Sequence, residues 1–397
     1  MRKYIFYILI TKIVFVSNAQ VNEVWNFNVE TYIHNTSYYH EKNLPIEIIK
    51  FNDQTYIILT QDKSLIKMNL SGDIIWKNEI SRCATQGIIK SDDESIMIIC
   101  GKRLKKYNSD GGLVWEKDYT EILKDTHALI NDITLGEDGI IYLVGHFWYQ
   151  SSKIFISAID IDGNIFWNEI FNQRNIESNS VIKPKEILIN NDNIFILAQE
   201  RAKNGSFLYT TDLFGKNRKE VGFQFEITKI KPYNNGLKTI GNSSGLKDYL
   251  IITKFDDSLN ILKHKTFKLP RNMVYEKATR FYSFKISKKK FYKTHETVYT
   301  VNDFQYVNDE ELIVVGNSFG DPWIIKVNEN SGILWNWAKK DNRYFKFDKK
   351  YTEHRYTYST ISKTGDDYIL TGIATEKDND EWLKTYINLF FRKIKLD

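Results

Sequence analysis

The chain has 397 residues, 42% of them hydrophobic and 14% aromatic, with 55 basic and 50 acidic side chains. That composition supplies a large core and excludes an intrinsically disordered chain. A formal charge of +5 is thin for this length, so a dedicated nucleic-acid binder is excluded too.

Residues 1–19 read as a secretory leader. Arg2 and Lys3 precede an apolar stretch from Tyr4 to Val16, interrupted by Lys12, and Ser17-Asn18-Ala19 is a small-residue cleavage site. The alternative, a membrane anchor, needs roughly 20 apolar residues, more than this stretch holds. No later segment is apolar enough to span, and neither cysteine lies beside the cleavage site to carry a lipid. The expected product is residues 20–397, exported to a periplasm or the cell exterior, not lipid-anchored, without a membrane span and monomeric. Five prolines and no Gly/Ser linker argue for one domain.

After the leader, Glu23 to Phe27 reads as a strand carrying Trp25. Two strand signals follow, Ile46 to Lys50 and Thr55 to Thr60, and then a third that ends in a turn at Asn69, with Trp76 in the strand beyond it. Cys83 and Cys100 fall in the next pair of strands, in a compartment that permits a disulfide; two reduced thiols are the alternative. Two cysteines lack the spacing of a metal site, so no metal is expected.

The turn at Asn69 is the first of a series. Lys67 to Trp76 aligns without a gap on Ala158 to Trp167, and the seven-residue interval from the Asx to the last position recurs. It runs from Asn108 to Trp115, Asp212 to Lys219, Asp256 to Lys263 and Asn328 to Trp335. An Asp or Asn at a strand end can bond its own backbone two residues on, and Gly or Asn after it accepts positive φ, so each copy reads as a hairpin turn. The Asp162-Gly163-Asn164 run is such a turn and lacks the further acidic positions of a calcium loop. The second strand of a unit often ends at glycine (Gly101, Gly145, Gly241, Gly316, Gly372), which reads as a bend. Trp76, Trp115, Trp167 and Trp335 read as packing between units.

Four short strands per unit of about 40 to 50 residues predict an all-β propeller of four-stranded antiparallel blades. Residues 393–397 resemble the strand before each turn, but the Trp strand that should follow is absent there. The strand around Trp25 supplies it, so the expectation is about seven blades, with the N-terminal strand completing the last and closing the ring.

The segments Lys67 to Trp76 and Ala158 to Trp167 resemble the repeats of quinoprotein-like (PQQ-like) propellers, in which a turn leads to a docking tryptophan. The chain looks like the secreted bacterial type of these. Lys219 and Lys263 depart from the pattern. Members that bind the quinone carry adjacent cysteines and a calcium site, neither matched here, so no cofactor is expected. The resemblance implies a binding scaffold. Asn108 to Trp115 is also similar to the Asp-box hairpin of sialidase propellers without its leading Ser, and such boxes are structural.

In a propeller, the links between blades share a face with the loops between the two middle strands of each blade. Two links are long, about 269–298 and 339–355. The first holds Arg280, Lys288, Lys289 and Lys290 among aromatic residues; the second holds Arg343 and Tyr344. The middle loops add His146, Trp148 and Trp323. A basic, aromatic rim suits an anionic polymer or an acidic protein; the alternative is an extra hairpin whose lysines face solvent. The expectation is therefore a non-catalytic propeller that binds a protein or polysaccharide through this rim. No residue is named as catalytic. A propeller enzyme using carbohydrate or a quinone, and a structural subunit of an envelope assembly, remain open as alternatives.

Overall fold

Every described element is a strand, and the second strands of the blades are continuous runs rich in β-branched residues, buried on both faces. The computed structural model describes residues 17–18, 21–34, 47–52, 54–59, 64–69, 73–80, 85–120, 127–147, 153–172, 182–200, 205–242, 249–269, 299–318, 321–338, 352–365, 367–378 and 384–396. β1 (Ser17–Asn18) and β2 (Val21–His34) come first and join sheets that the chain completes later.

Blade 1 is β3 (Glu47–Asn52), β4 (Thr55–Leu59), β5 (Ser64–Asn69) and β6 (Ile74–Glu79). Blade 2 is β7 (Thr85–Lys90), β8 (Ile96–Cys100), β9 (Arg103–Tyr107) and β10 (Leu113–Asp118). Blade 3 is β11 (Ala128–Leu135), β12 (Ile141–Phe147), β13 (Lys153–Ile159) and β14 (Ile165–Asn172). Blade 4 is β15 (Ile182–Asn190), β16 (Asn193–Glu200), β17 (Ser206–Asp212) and β18 (Lys219–Phe223). Blade 5 is β19 (Glu226–Tyr233), β20 (Gly236–Asn242), β21 (Tyr249–Phe255) and β22 (Ile261–Lys268). Blade 6 is β23 (Tyr299–Tyr306), β24 (Glu311–Ser318), β25 (Asp321–Asn328) and β26 (Gly332–Ala338). In each blade the four consecutive strands pair in order and antiparallel.

The expectation of about seven blades of one kind, closed by an N-terminal strand, is corrected: six such blades form. The remaining sheet, in the order β2, β29 (Lys384–Leu396), β28 (Asp367–Asp378) and β27 (Thr352–Thr364), is of another make. Its strands have 12 to 14 residues, against 5 to 9 in the six blades. At about 3.3 Å per residue they run well beyond the length of the blade strands. The ladder sustains the length, because β29 is paired on both edges, by β2 and by β28, along nearly all of its course, so its backbone groups stay satisfied. The N-terminal contribution is thus a 14-residue strand, not the five-residue Trp strand expected, and it lies at the outer edge of its sheet. It pairs with β29 from Val21 opposite Leu396 to His34 opposite Lys384, with Trp25 opposite Lys393. Blade 1 is met by β27, which also packs against β23, β24 and β25. Blade 6 departs as well: Ser17 and Asn18, within the segment read as leader, add a fifth strand parallel to β26.

The core lies between successive sheets. Met97 and Leu104 of blade 2 are buried against Ile133, Leu143 and Phe155 of blade 3, and Ile313 and Ile324 of blade 6 against Ile361 and Leu370. On the rim, the tryptophans after the turns of blades 1, 2 and 3 dock on the turn of the next blade. A Cβ on Gly163, whose φ is +77°, would stand 3.0 Å from the Trp115 ring, and one on Gly215 would stand 2.9 Å from the Trp167 ring. Trp76 Nε1 donates to the Ser109 carbonyl at 3.2 Å. The turns form as expected: Asp160 Oδ1 accepts from the backbone N–H of Asp162 and Asn164 at 2.9 and 2.7 Å.

Gly101 turns the chain after β8 with φ at +66°, as expected, but three other second-strand glycines serve a different purpose. Gly145, Gly241 and Gly316 lie inside β12, β20 and β24, opposite a bulge in the inner strand. A Cβ on Gly145 would stand 2.2 Å from the Leu129 carbonyl oxygen and 2.3 Å from the Phe155 ring. Close approach, not turning, excludes a side chain there.

Candidate functional site

The inner-strand bulges position the site. They fall between Ile130 and Asp132, Pro184 and Glu186, Ile227 and Lys229, Val301 and Asp303, and Tyr358 and Thr360. A bulge re-aims the next side chain. Here that side chain is Asp132, Glu186, Lys229, Asp303 or Thr360, each followed by an isoleucine or phenylalanine. Blade 2 has Gly87 before Ile88 at this place, and blade 1 has Glu47.

The carboxylates tie each blade to the next. Glu47 Oε2 accepts from the Ile88 N–H at 3.0 Å, Asp132 Oδ2 from Ile187 at 2.7 Å, Glu186 Oε2 from Ile230 at 3.0 Å and Asp303 Oδ2 from Ile361 at 3.0 Å. Lys229 pairs with Glu186 at 2.6 Å, and Lys231 with Asp303 at 3.2 Å. These groups stand on the inner strands of blades 1, 3, 4, 5 and 6, the strands that face the axis in a propeller.

Desolvation there lifts the Glu47 carboxyl to about 7, opposed by Lys229 and by the Ile88 N–H and assisted by Glu186 and Asp303. Desolvation, then Glu47 and Glu186, push Asp132 well above the carboxylate range. Desolvation lowers Lys229, but Glu186 and Asp303 outweigh it and hold the ammonium above its ordinary value. Among the described residues no three of His, Cys, Asp and Glu are grouped as metal ligands would be.

A second charged cluster joins blades 5 and 6. Glu329, in the turn after β25, is 1% exposed and lies 2.7 Å from Lys238 and from Lys254, with Lys263 at 3.6 Å. Lys254 also donates to the Tyr233 hydroxyl at 3.0 Å. Desolvation drives Lys238 down to about 8, against the pull of Glu329.

The residues expected on the loop face divide as follows. Arg280, Lys288, Lys289, Lys290, Arg343, Tyr344 and Trp148 lie outside the described residues. His146, on β12, is buried, and its Nδ1 lies 2.6 Å from Oδ1 of Asn131, the bulge residue of β11. Burial, then Lys183, lowers it to about 4. Trp323 is 0% exposed, packed over Gly316 in the core between blades 5 and 6. Cys100 is disulfide-bonded, and Cys83, outside the described residues, is the other cysteine in the chain. The axial ring escaped the sequence reading. Its signal is a charged residue directly before an isoleucine or phenylalanine near the start of five of the six blades, as in Asp132-Ile133 and Glu186-Ile187.

Several solved structures share this architecture. The complex of BBS1N with ARL6DN matches with a TM-score of 0.54 at 10% identity, over 96% of this chain and 98% of that one. A quinohemoprotein alcohol dehydrogenase from Pseudomonas putida matches with a TM-score of 0.52 at 8% identity, over 94% and 76%. BamB from Moraxella catarrhalis matches with a TM-score of 0.45 at 11% identity, over 85% and 79%. The likeness is one of fold. It supports a β-propeller fold. No protein-family model and no curated protein sequence matches the chain. No described helix is long and apolar enough to cross a membrane.

Proposed function

We propose that this chain is a non-catalytic, exported binding propeller that takes a protein or polysaccharide partner on the face carrying its long links. The placement of those links carries the reading. β22 ends at Lys268 and β23 begins at Tyr299, while β26 ends at Ala338 and β27 begins at Thr352. In an up-and-down blade the outer strand finishes on the side where the next inner strand starts, so both links leave one face from adjacent sheets. β12 ends at Phe147 and β13 begins at Lys153 on that same side of the sheets.

The links are basic and aromatic, with Arg280, Lys288, Lys289 and Lys290 in one and Arg343 and Tyr344 in the other. Cations attract an acidic surface over a distance, and rings add stacking area at contact. The axial carboxylates support the same reading, because each accepts a backbone N–H from the adjacent sheet and so serves cohesion.

Retention on immobilised sulfated polysaccharide and on polyglutamate tests this. Wild type should be held by at least one matrix near physiological salt, and the triple variant K288E/K289E/K290E should pass through. Equal behaviour of the two proteins on both matrices, with equal melting temperatures, overturns the proposed surface.

A further inference from the structure

β2 forms one edge of the long-stranded sheet and, among the described strands, pairs with β29 alone. Half of the backbone N–H and C=O groups of an edge strand point away from its single neighbour, free to pair with another chain. With 14 residues β2 is the longest described strand, and it holds no lysine, arginine, proline or glycine.

The outer strands of the blades are shorter and better guarded. β6, β10, β18 and β22 have 5 to 8 residues and carry Lys77, Lys117, Lys219 and Lys263. β14 has 8 residues with Glu169 among them, and β26 is covered by β1. Short length and lysine are the usual means by which an edge refuses partners. β2 uses neither.

Its second half also stands clear of the ring. Tyr358 opposite Gly372, beside the bulge of β27, matches Ile130 opposite Gly145 in blade 3. From that level β27 reaches back to Thr352 and β28 on to Asp378, while β11 reaches back only to Ala128 and β12 on to Phe147. The long sheet therefore extends about four residues, roughly 13 Å, past the ends of the blade 3 strands. Gly372 lies opposite Phe390 and Phe390 opposite Asn28, so β2 beyond Glu30 runs past the blade.

The sequence of β2 complements itself. A bulge between Glu23 and Trp25 interrupts the ladder to β29, and from Trp25 onward the pairing is regular. Alternation assigns Trp25, Phe27, Val29, Thr31 and Ile33 to one face of the sheet and Asn26, Asn28, Glu30 and Tyr32 to the other. An antiparallel copy of this strand centred on Val29 sets Trp25 opposite Ile33, Phe27 opposite Thr31 and Val29 opposite itself. On the other face Asn26 then meets Tyr32 and Asn28 meets Glu30. Aromatic residues oppose β-branched ones, and no like charges meet. A shift of one residue mixes the two faces, and centring on Glu30 sets carboxylate against carboxylate.

We propose that β2 joins a second copy of this chain, edge to edge and antiparallel about a two-fold axis at Val29, giving a dimer with one continuous eight-stranded sheet. The same patch serves both copies, so assembly stops at two. This differs from the monomer expected of the sequence. β2 begins at Val21, after the expected cleavage site, so loss of a leader leaves the edge whole. The dimer is independent of the loop-face reading, because the seam contains no residue of the long links.

Sedimentation equilibrium of the protein at micromolar concentration should give a dimer, and Val29→Lys with Thr31→Lys should shift it to monomer. Val29→Cys, whose copy stands directly opposite, should form an intermolecular disulfide under mild oxidation. Glu30→Cys, which faces Asn28 instead, should cross-link about tenfold less. If another stretch of the chain covers this edge, the wild type stays monomeric, and that result overturns the dimer whether or not the variants fold. A dimer that Val29→Cys traps no better than Glu30→Cys, or an assembly larger than two, overturns the β2 seam.

Discussion

Lys219 Nζ donates to Ser258 Oγ at 2.7 Å, from the outer strand of blade 4 to the turn of blade 5. Lys219 occupies the place that tryptophan holds in blades 1, 2 and 3, and Lys263 repeats the substitution by reaching Asn330 Oδ1 at 2.6 Å in blade 6. The docking of one blade on the next survives the change of chemistry, because a long cation can reach a turn oxygen that a ring would cover.

The tryptophan version should be the stronger one. Trp115 packs on Gly163 and on the core between blades 2 and 3, so Trp115→Ala should cost about 3 kcal/mol by denaturant unfolding. Lys219→Ala, which loses one exposed contact, should cost no more than about 1 kcal/mol. A reversed order would show that docking energy does not lie in ring packing.

Gly145→Ala tests the close approach beneath the bulge. Its Cβ would meet the Leu129 carbonyl and the Phe155 ring, so blade 3 must shift, at a cost of about 1 to 3 kcal/mol. Thermal unfolding should show the loss, and Gly101→Ala would be the comparison, with open space around its Cβ but φ at +66°.

Glu329→Gln removes the carboxylate that, among the described residues, Lys238 and Lys254 share. Leaving two enclosed ammonium groups without it should cost about 3 to 5 kcal/mol. Glu329→Gln with Lys238→Met should recover part of that loss, and the double-mutant cycle measures the coupling.

His146 is held neutral by burial, with its acid form reached only near pH 4 instead of 6.5. Between those values the unfolded chain takes up a proton that the folded chain refuses, so stability is lost as pH falls through that window. By pH 5 the loss from this group amounts to about 2 kcal/mol. His146→Gln should lose correspondingly less stability between pH 7 and 5, read from urea midpoints at each pH.

Much of the rim was legible in the sequence. The interval from Asp160 to Trp167 is a local rule: the Asx caps its own turn and the tryptophan follows at fixed spacing, so a single stretch of chain contains the whole signal. Trp323 and His146 were less legible, because their exposure depends on what lies above them. Trp323 is covered by its packing over Gly316, a contact between strands that no spacing announces.

The sequence by itself determined the blade, its turn and its docking residue, since hydrogen bonding within one hairpin and the period of a strand act over a few residues. Only the tertiary structure decided how the two ends of the chain combine into one long-stranded sheet, and which charges meet on the axis. Glu47, Asp132, Glu186, Lys229 and Asp303 lie up to some 250 positions apart in the chain, and their energies depend on desolvation and mutual distance, which exist only once the blades have assembled around them.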